Sequence, residues 1–349
     1  MAQIRIDVII PTYKPDKKLL DLIAALQKQT VKPAGIILVN TEEKYLNSLF
    51  YGTDYLKKYP QIRIKNISKR EFNHGKTRNQ GAKRSDAEIM VFMTQDAMPA
   101  DEHTIEELIR PMSDKEVIVS YARQIAYPDA NPIETFSRQF NYPDKPMVKS
   151  EEDLPELGVK TYFCSNVCAA YKKYAFDELG GFINFTIFNE DMLFAAKAIK
   201  NGKKVAYAAN AKVLHSHNYS GIRQLHRNFD LGVSQVDHPE VFADVKSESE
   251  GMKYAKETMA YLWSEKKAYL IPKFIYQCGC RLLGYKLGRN YKKLNKKTIL
   301  KLTANRTYWY RYWDKNEIPV NVYAGYGKTE EENNRSRRDD PSKAQLSQK

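Results

Sequence analysis

Strand and helix patterns alternate through the first part of this 349-residue chain, and that alternation restricts its fold more than any other feature. Short apolar runs bounded by Pro, Gly or Asn predict buried strands, and apolar residues at helical spacing predict the helices between them. The predicted order is strand 4–10, helix 16–29, strand 35–40, helix 45–59, strand 62–67, helix 76–84 and strand 88–93. This order predicts an α/β fold with a mostly parallel, Rossmann-like central sheet and flanking helices.

Polar residues stand at the carboxyl ends of these strands, where doubly wound sheets bind their ligands. They are Thr12 and Tyr13 after the first strand, Asn40 at the end of the second, and Thr94-Gln95-Asp96 after the fourth. Asp96 could be a metal ligand or a plain turn residue, because loop aspartates are common. Its place at a strand end favours the ligand.

A basic segment at residues 72–81 precedes and begins the third predicted helix, with Gly75, Lys76 and Arg78 close together. Basic side chains at a helix start suit phosphate oxygens, and they also fit the first turn of an ordinary surface helix. The GxxxxGK[ST] spacing is absent, so the segment is not a P-loop.

Two adjacent carboxylates, Glu190 and Asp191, open a helix that is predicted to end near Lys200. Carboxylates at a helix start can be caps that the helix dipole favours, and one of them could equally be a general base. Further along, the segments 204–208 and 211–214 are predicted as two short strands.

Histidine and arginine pairs follow the second of these strands. His215 and His217 are two residues apart, so their side chains point the same way from an extended chain, as two ligands would. Arg223 and Arg227 are one helical turn apart and could hold a diphosphate, or they could form a solvated helix face.

Four segments in this order resemble the family 2 glycosyltransferases of the GT-A fold: IDVIIPTYKP, FNHGKTRNQGA, VFMTQDAMP and FNEDMLFAAKAIKNGKKVAYAANAKVLHSH. The strings FNHGKTRN, TQDA and FCSNVCAAYKK are similar to the bacterial rhamnosyltransferase branch of that family. The resemblance covers about residues 4–235. The chain has RQLHRNFDLG instead of the QxxRW signature of processive synthases, which argues against a membrane-channel polymerase.

The resemblance implies a set of donor-binding residues for a nucleotide sugar. Thr12, Tyr13 and Asn40 would line the nucleobase and ribose pocket, and Asn40 stands where many members have Asp. The remaining residues implied for the donor are Gln95, Lys76, Arg78 at the diphosphate, and Arg227 at the leaving group.

The resemblance also implies a metal site and a catalytic base. Asp96 would be the surviving member of the family's DxD motif, since Thr94 occupies its first position, and His217 would be an additional ligand for Mg²⁺ or Mn²⁺. Asp191 would be the general base of an inverting transfer, with Glu190 supporting it. The acceptor residues would be Arg123, Ser165 and Asn166.

The activity implied is transfer of L-rhamnose from dTDP-rhamnose onto a lipid-linked cell-surface polysaccharide. Within the same class, the donor could instead be UDP-glucose or UDP-galactose. The competing class is a non-catalytic membrane- or nucleic-acid-binding protein on the same fold.

The net charge of +14 is concentrated in the last part of the chain. Residues 1–250 carry 34 basic and 33 acidic residues, whereas residues 251–349 carry 22 and 9. Between Lys266 and Arg311 there are 13 basic residues and no acidic one, interleaved with aromatic residues. This composition is typical of a surface that meets an anionic partner.

Three interpretations of this basic segment differ in the partner. Basic residues with interfacial aromatics suit a helix lying on an anionic membrane. Alternatively, a helical pair packs on the catalytic domain or mediates formation of a homo-oligomer. No recognised nucleic-acid motif accompanies the charge, so no nucleic-acid partner is expected. Pro272 is predicted as a helix break, and one stripe at helical spacing contains Ile271, Phe274, Ile275, Cys278, Leu282 and Tyr285.

The sparse cysteines, Cys164, Cys168, Cys278 and Cys280, predict reduced thiols in a cytoplasmic setting. No signal peptide or apolar run long enough to span a bilayer is visible, so the expected location is peripheral, at the inner face of the cell membrane. The predicted division is a catalytic domain at 1–235, a basic helical region at 236–315, and a polar tail at 316–349 that is disordered over about 328–349.

Overall fold

The computed structural model describes residues 4–243 and 248–314, and the predicted polar tail lies outside these ranges. A nine-stranded sheet forms the centre of the described part. The strands are β1 Ile6–Tyr13, β2 Gly35–Thr41, β3 Ile62–Ile67, β4 Ile89–Met93, β5 Met98–Pro99, β6 Val117–Ile125, β7 Met147–Lys149, β8 Cys168–Lys172 and β9 Lys204–Leu214.

The α-helices flank this sheet and then continue alone beyond residue 220. They are α1 Lys17–Gln27, α2 Glu43–Phe50, α3 Tyr55–Lys58, α4 His74–Ala82, α5 Thr104–Ile109, α6 Pro132–Asn141, α7 Leu154–Leu157, α8 Lys173–Glu178, α9 Glu190–Lys200, α10 Gly221–Asp237, α11 Pro239–Phe242, α12 Glu248–Ser264, α13 Ile271–Arg289, α14 Lys296–Leu302 and α15 Arg306–Trp313. Short 3₁₀ turns lie at Arg110–Ser113, Glu151–Asp153, Gly158–Tyr162, Ala268–Leu270 and Tyr291–Lys293.

The strand order of the sheet is β3-β2-β1-β4-β8-β6-β9-β5. Strand β7 lies outside this order and also pairs with β9. The first four strands are parallel, β8 runs antiparallel to both of its neighbours, and β9 is parallel to β6. Helices cover both faces, so the central strands are apolar on both sides, as buried parallel strands must be. The predicted mostly parallel α/β sheet is confirmed.

Two details of the predicted elements are wrong. Residues 45–59 do not form one helix, because a turn with Gly52 at φ 69° separates α2 from α3. The two short strands predicted at 204–214 are one strand, β9. Its register against β6 jumps from Ala208 to Lys212, so the intervening residues form a bulge that resembles a strand break in the sequence.

Helices α10 and α13 pack against each other and run in the same direction, since Gly284 meets Leu225 and Gly288 meets Phe229. A Cβ at Gly284 would lie 2.2 Å from the carbonyl oxygen of Leu225, and one at Gly288 would lie 2.1 Å from that of Phe229. The contact between the two helices therefore depends on residues without side chains.

The apolar stripe of α13 coincides with the buried face of the helix only at Phe274. Ile275 and Leu282 are 56% and 50% exposed, and Tyr276 and Leu283 are also exposed. The buried face instead consists of Phe274, Gln277, Cys280, Gly284 and Gly288. Close approach of α10 selects small residues on the inner face, which leaves the large apolar residues outside. We call Ile275, Tyr276, Leu282 and Leu283 the outer apolar face of α13.

Replacing Gly288 by Ala is expected to lower the free energy of unfolding by about 1–3 kcal/mol, because the new Cβ must push α10 away. The matched control is Gly279→Ala on the same helix, where a Cβ meets no atom within 4 Å. This control should raise stability by about 0.5–1 kcal/mol through helix propensity. Urea unfolding of both variants measures the difference, and equal midpoints would contradict the close-packing argument.

Within the described ranges, no helix has both the length and the apolarity that a membrane span needs. All four cysteines are free thiols, and Cys164, Cys168 and Cys280 are buried.

Candidate active site

The carboxyl ends of β1 and β2 carry a small buried network of polar side chains. Thr12 Oγ1 donates to Asn40 Oδ1 at 3.1 Å, and Asn40 Nδ2 donates to Asn66 Oδ1 at 2.9 Å. Thr12 and Asn40 are both at most 2% exposed. The two residues therefore orient each other at the strand ends, and Asn66, which the sequence did not single out, belongs to the same network.

Beside this buried network, the more exposed residues at the strand ends are Tyr13, Gln95 and Tyr45. Gln95 makes two hydrogen bonds to the backbone of Tyr13, accepting from its N–H at 2.9 Å and donating to its carbonyl at 3.1 Å. The Tyr13 ring meets the ring of Tyr45 edge to face at 5.7 Å. Gln95 thus ties the loop after β4 to the end of β1 and fixes an aromatic edge at the site.

A three-residue cluster at the ends of β4 and β9 has the donor set of a metal site. One ligand atom from each of Asp96, His215 and His217 lies within 4.8 Å of the others. His217 Nε2 is 3.3 Å from Asp96 Oδ2 and 3.2 Å from His215 Nε2, and His215 Nε2 is 3.7 Å from Asp96 Oδ1. One carboxylate and two imidazoles that converge in this way fit a divalent cation, and the imidazoles favour Mn²⁺ over Mg²⁺.

The protonation of this cluster also fits a cation. His215 Nδ1 faces Gln124 Oε1 at 2.9 Å and must donate to it, which leaves Nε2 free to bind a metal. Burial lowers the pKa of His215 to about 3, so the ring is neutral at physiological pH. Burial opposes ionisation of Asp96, but the hydrogen bond with His217 and the proximity of His215 hold the pKa of Asp96 below its usual range.

A second layer of polar side chains fixes the orientation of His215. Gln124 Oε1 also accepts from Arg138 Nη1 at 2.7 Å, and Arg138 pairs with Glu134 at 2.6 Å. Glu134 Oε1 in turn accepts the backbone N–H of His217 at 3.2 Å. These hydrogen bonds hold both histidines. Gln124 and Glu134 are buried, and the Arg138 side chain is 19% exposed.

The predicted catalytic pair begins α9 as expected. The helix is preceded by Asn189 in a left-handed conformation, φ 66°, whose side chain donates to Ser234 on α10. Asp191 is half-buried, and its two carboxylate oxygens accept the backbone N–H groups of Asn166 and Met192, both at 2.9 Å. These bonds hold the carboxylate in one position at the site.

Glu190 and Asp191 have opposite protonation tendencies. Burial and the negative charge of Glu190 raise the pKa of Asp191 to about 7, against the backbone hydrogen bonds. For Glu190 burial is outweighed by the charges of Arg78 and His74, which hold its pKa below the usual range. Glu190 therefore stays ionised, whereas Asp191 is present in both its protonated and its ionised form near neutral pH.

The predicted diphosphate residues fall into two groups. Arg78 is 6% exposed and pairs with Glu190 at 3.1 Å, so part of its charge is already neutralised, and Lys76 lies two residues before it on α4. Arg227 on α10 stands over the Tyr219 ring at 5.2 Å, and that ring stacks on His217 at 4.9 Å. Arg227 is thus one aromatic ring away from the metal-type cluster.

The three predicted acceptor residues lie on the side of the site formed by β6 and β8. Arg123 Nε donates to the carbonyl of Tyr142 at 3.2 Å, and Ser165 Oγ accepts from Gln124 at 3.0 Å. Asn166 is 2% exposed and holds both carboxylates, Asp191 through its N–H and Glu190 through Nδ2 at 3.4 Å. Its contacts are those of a residue that positions Glu190 and Asp191.

These residues meet at one edge of an α/β sheet, and the sequence profile described as glycosyl transferase family 2 matches residues 7–180. An O-antigen chain rhamnosyltransferase, RfbN of Salmonella typhimurium, is 38% identical over 307 residues, which is 87% of this chain and 96% of that protein. The chain belongs to glycosyl transferase family 2. A second relative of this glycosyltransferase is the O-antigen chain rhamnosyltransferase WbaN of Salmonella anatum, 35% identical over 86% of this chain and 95% of that protein.

Among solved structures, the mannosyltransferase PcManGT from Pyrobaculum calidifontis, in complex with GDP-Man and Mn²⁺, matches 90% of this chain and 89% of its own. The TM-score is 0.52 and the sequence identity is 15%, so the likeness concerns the fold. The glycosyltransferase has the GT-A fold that its sequence resemblance implied.

The sequence analysis did not assign a role to several residues of the candidate site. His215 was noticed beside His217 but was not assigned to the metal, although the i, i+2 spacing was the signal that both rings point one way. Gln124 and Arg138 had no local signal, because their role depends on β6 and α6 being brought next to the end of β9.

Proposed function

We propose that this glycosyltransferase transfers L-rhamnose, with inversion, from dTDP-rhamnose onto a lipid-linked cell-surface polysaccharide. The support is the name of the two relatives, both O-antigen chain rhamnosyltransferases, and their match over nearly their whole length. A lipid-linked acceptor agrees with an exposed surface that combines basic and apolar side chains.

The observation that carries the chemistry is the carboxylate of Asp191, held by two backbone N–H groups with its pKa raised to about 7 by burial and by Glu190. A group with this pKa can accept a proton from an acceptor hydroxyl while the anomeric carbon is attacked from the face opposite the leaving group. A single displacement of this kind inverts the configuration and requires no covalent enzyme intermediate. Glu190 keeps Arg78 and Asn166 in place beside the base.

The residues that would hold Mn²⁺ or Mg²⁺ are Asp96, His217 and His215. When bound, such an ion would neutralise negative charge on the departing nucleoside diphosphate. Arg227 and Lys76 would add positive charge at the same group, with Arg78 shared between Glu190 and the diphosphate. Thr12, Asn40, Tyr13 and Gln95 would form the nucleobase and ribose pocket, and Arg123 and Ser165 would meet the acceptor.

A donor panel tests the substrate. Purified protein is supplied with Mn²⁺ and with dTDP-rhamnose, UDP-glucose or UDP-galactose, and release of nucleoside diphosphate is measured with and without an acceptor preparation. We expect kcat/KM for dTDP-rhamnose to exceed that for either UDP-sugar by at least about tenfold, since the deoxy sugar and the base both differ. Preference for a UDP-sugar would contradict the donor assignment, and no turnover of any donor would contradict the function.

The pH dependence of transfer should reflect Asp191. Because the base acts only when ionised, kcat/KM is expected to fall by about tenfold per pH unit below about pH 7 and to be flat above it. In Glu190→Gln the neighbouring negative charge is lost, so the acid limb should move to lower pH. A profile of Glu190→Gln that keeps the original midpoint, or a wild-type rate that stays constant down to pH 5, would contradict the assignment.

We further propose that the chain attaches peripherally to the inner face of the cell membrane through its helical region at 236–315, and that the catalytic domain is 1–235. The outer apolar face of α13 supports this, together with exposed Trp263 and Tyr269 and the absence of acidic residues from Lys266 to Arg311. Apolar side chains framed by basic residues suit an anionic lipid surface, where each basic residue adds about 1 kcal/mol.

Vesicle flotation measures this attachment. The protein is expected to float with vesicles that contain anionic lipid and to remain below with neutral ones, and Leu283→Glu should lower the bound fraction by about tenfold. The control is Tyr51→Glu, at an 89% exposed aromatic residue of the catalytic body, which should float like wild type. Equal flotation with neutral and anionic vesicles, or none with either, would contradict the proposal.

A further inference from the structure

A cavity of about 900 Å³ lies between the catalytic body and the helices that follow it. Its wall on the body side includes Tyr121, Phe163 and Tyr207, and its wall on the helical side includes Leu231 and Leu282, from α10 and α13. Aromatic and aliphatic side chains make up most of the lining. None of the residues assigned to the donor, the metal or the base lines it.

The polar residues of the cavity carry mostly one sign of charge. Its basic residues are Lys145, Lys149, Lys160, Arg281 and Lys286. The single acidic residue among those lining it is Glu250, which is ion-paired with Lys160. Four basic residues are left over after this pair, so the cavity attracts an anion.

Lys149 is the deepest of these charges, with 2% of its surface exposed. Its ammonium donates to the hydroxyl of Tyr121 at 3.2 Å and to the carbonyls of Lys160 and Phe163 at 3.1 and 2.5 Å. These three acceptors are neutral, and within the described residues Asp153 acts on the ammonium only from beyond ion-pair distance. A buried charge without a close counter-ion is costly, and an anion at the cavity would reduce that cost.

The cavity wall is shared with the reaction site. The Phe163 ring contacts the ring of Tyr142 at 5.8 Å, and Tyr142 accepts a hydrogen bond from Gln124, which holds the metal-type cluster. Two residues after Phe163 the chain passes Ser165 and reaches Asn166, whose N–H binds Asp191. One layer of residues therefore separates the cavity from the catalytic groups.

The cavity is also continuous with the outer apolar face of α13. Leu282 belongs to both, since it lines the cavity and is 50% exposed, and Lys286 follows it one helical turn later on the same helix. Leu282 therefore joins the outer apolar face of α13 to the cavity wall.

We propose that this cavity binds the hydrocarbon chain of the lipid-linked acceptor next to its phosphate groups, an inference that rests on the proposed function. The aromatic and aliphatic walls take the chain, and the lysines and Arg281 face the phosphates. The saccharide attached to those phosphates then lies on the side of the wall where Asn166 holds Asp191. The enzyme thereby recognises the carrier as well as the sugars that the carrier holds.

Direct binding of soluble carrier fragments tests the proposal. Calorimetry with the full chain compares geranylgeranyl diphosphate, a twenty-carbon chain, with isopentenyl diphosphate, which has the same head group on five carbons. The longer probe should bind at least about a hundredfold more tightly, because fifteen additional carbons are buried. Saturating dTDP should leave its affinity unchanged, since the two sites are separate. Equal affinities of the probes, or displacement by dTDP, would overturn the proposal.

A matched pair of variants locates the site. Leu282→Glu places a carboxylate in the cavity wall and should weaken binding of the twenty-carbon probe by at least about tenfold. The matched control is Ile222→Glu on α10, at a 55% exposed residue that neither lines the cavity nor belongs to the outer apolar face of α13, and it should bind within about twofold of wild type. Equal losses in both variants would show that binding does not depend on the cavity wall and would overturn the proposal.

These measurements separate the inference from the proposed function. They use no donor and no turnover, so a protein that binds the long probe through Leu282 but transfers no rhamnose would refute only the function. A protein that transfers rhamnose but binds both probes equally would refute only the cavity.

Discussion

Replacing Asp191 by Asn is expected to lower the turnover number of transfer by about a thousandfold, because the amide cannot accept the proton of the acceptor hydroxyl. The substitution conserves the shape of the side chain, and its remaining oxygen can still accept one of the two backbone N–H groups that hold Asp191. Donor affinity should therefore remain within about twofold of the wild-type value, since the variant loses the base and not the binding site.

The measurement is turnover at saturating donor and acceptor, together with donor affinity by calorimetry. Asp177→Asn is the matched control. Asp177 is an exposed aspartate on α8, and within the described residues its ion pair is with Lys173. This variant should transfer at the wild-type rate. Turnover of Asp191→Asn within about tenfold of wild type would contradict the role of this residue as the base.

The positions of the proposed catalytic and metal-binding residues could be predicted because these residues lie at element boundaries. Asp96 follows a buried strand, and Glu190 and Asp191 begin a helix, so the local pattern places each of them at an edge of the sheet. Their chemistry could not be predicted in the same way. Asp191 differs from Glu190 because Arg78 forms its ion pair with the latter, and that pairing joins α4 to α9 across more than a hundred residues.

Asn166 illustrates the limit of carrying a family role onto one residue. The resemblance assigns it to the acceptor, whereas its N–H and Nδ2 are directed at the two carboxylates and its Oδ1 accepts the hydroxyl of Tyr171 at 2.8 Å. All of these partners lie on other secondary-structure elements, so the local sequence FCSN does not reveal them. The acceptor role of Asn166 stays a prediction, and its contacts account for how Asp191 is held.

The apolar stripe of α13 did not reveal which face of the helix is buried, because helical periodicity alone does not show where a partner helix packs. Here the partner helix α10 comes so close that glycines occupy the contact, and the large residues remain outside. The basic charge of the same region was correctly located by counting residues. What counting could not reveal is that part of this charge borders a cavity, which Lys149, far away in the sequence, lines together with Arg281 and Lys286 of α13.

The second large effect is expected from a substitution in the cluster of Asp96, His215 and His217. Asp96→Ala is expected to weaken Mn²⁺ binding by at least about a hundredfold, because it removes the only carboxylate of the three residues and leaves two imidazoles. Electron paramagnetic resonance of free Mn²⁺ measures this without any substrate. Asp129→Ala is the control, since Asp129 is an exposed carboxylate in the nearby loop after β6, and it should bind Mn²⁺ like wild type.

The same variant separates metal binding from donor binding. In the wild type, donor affinity should rise when Mn²⁺ is added, and in Asp96→Ala it should be equally weak with and without the ion, because the diphosphate then meets only Arg227, Lys76 and Arg78. Mn²⁺ should also support tighter donor binding than Mg²⁺, because two of the three ligands are imidazoles. If the wild-type donor affinity is the same with and without metal, these three residues do not hold a catalytic cation, and their mutual hydrogen bonds are their whole role.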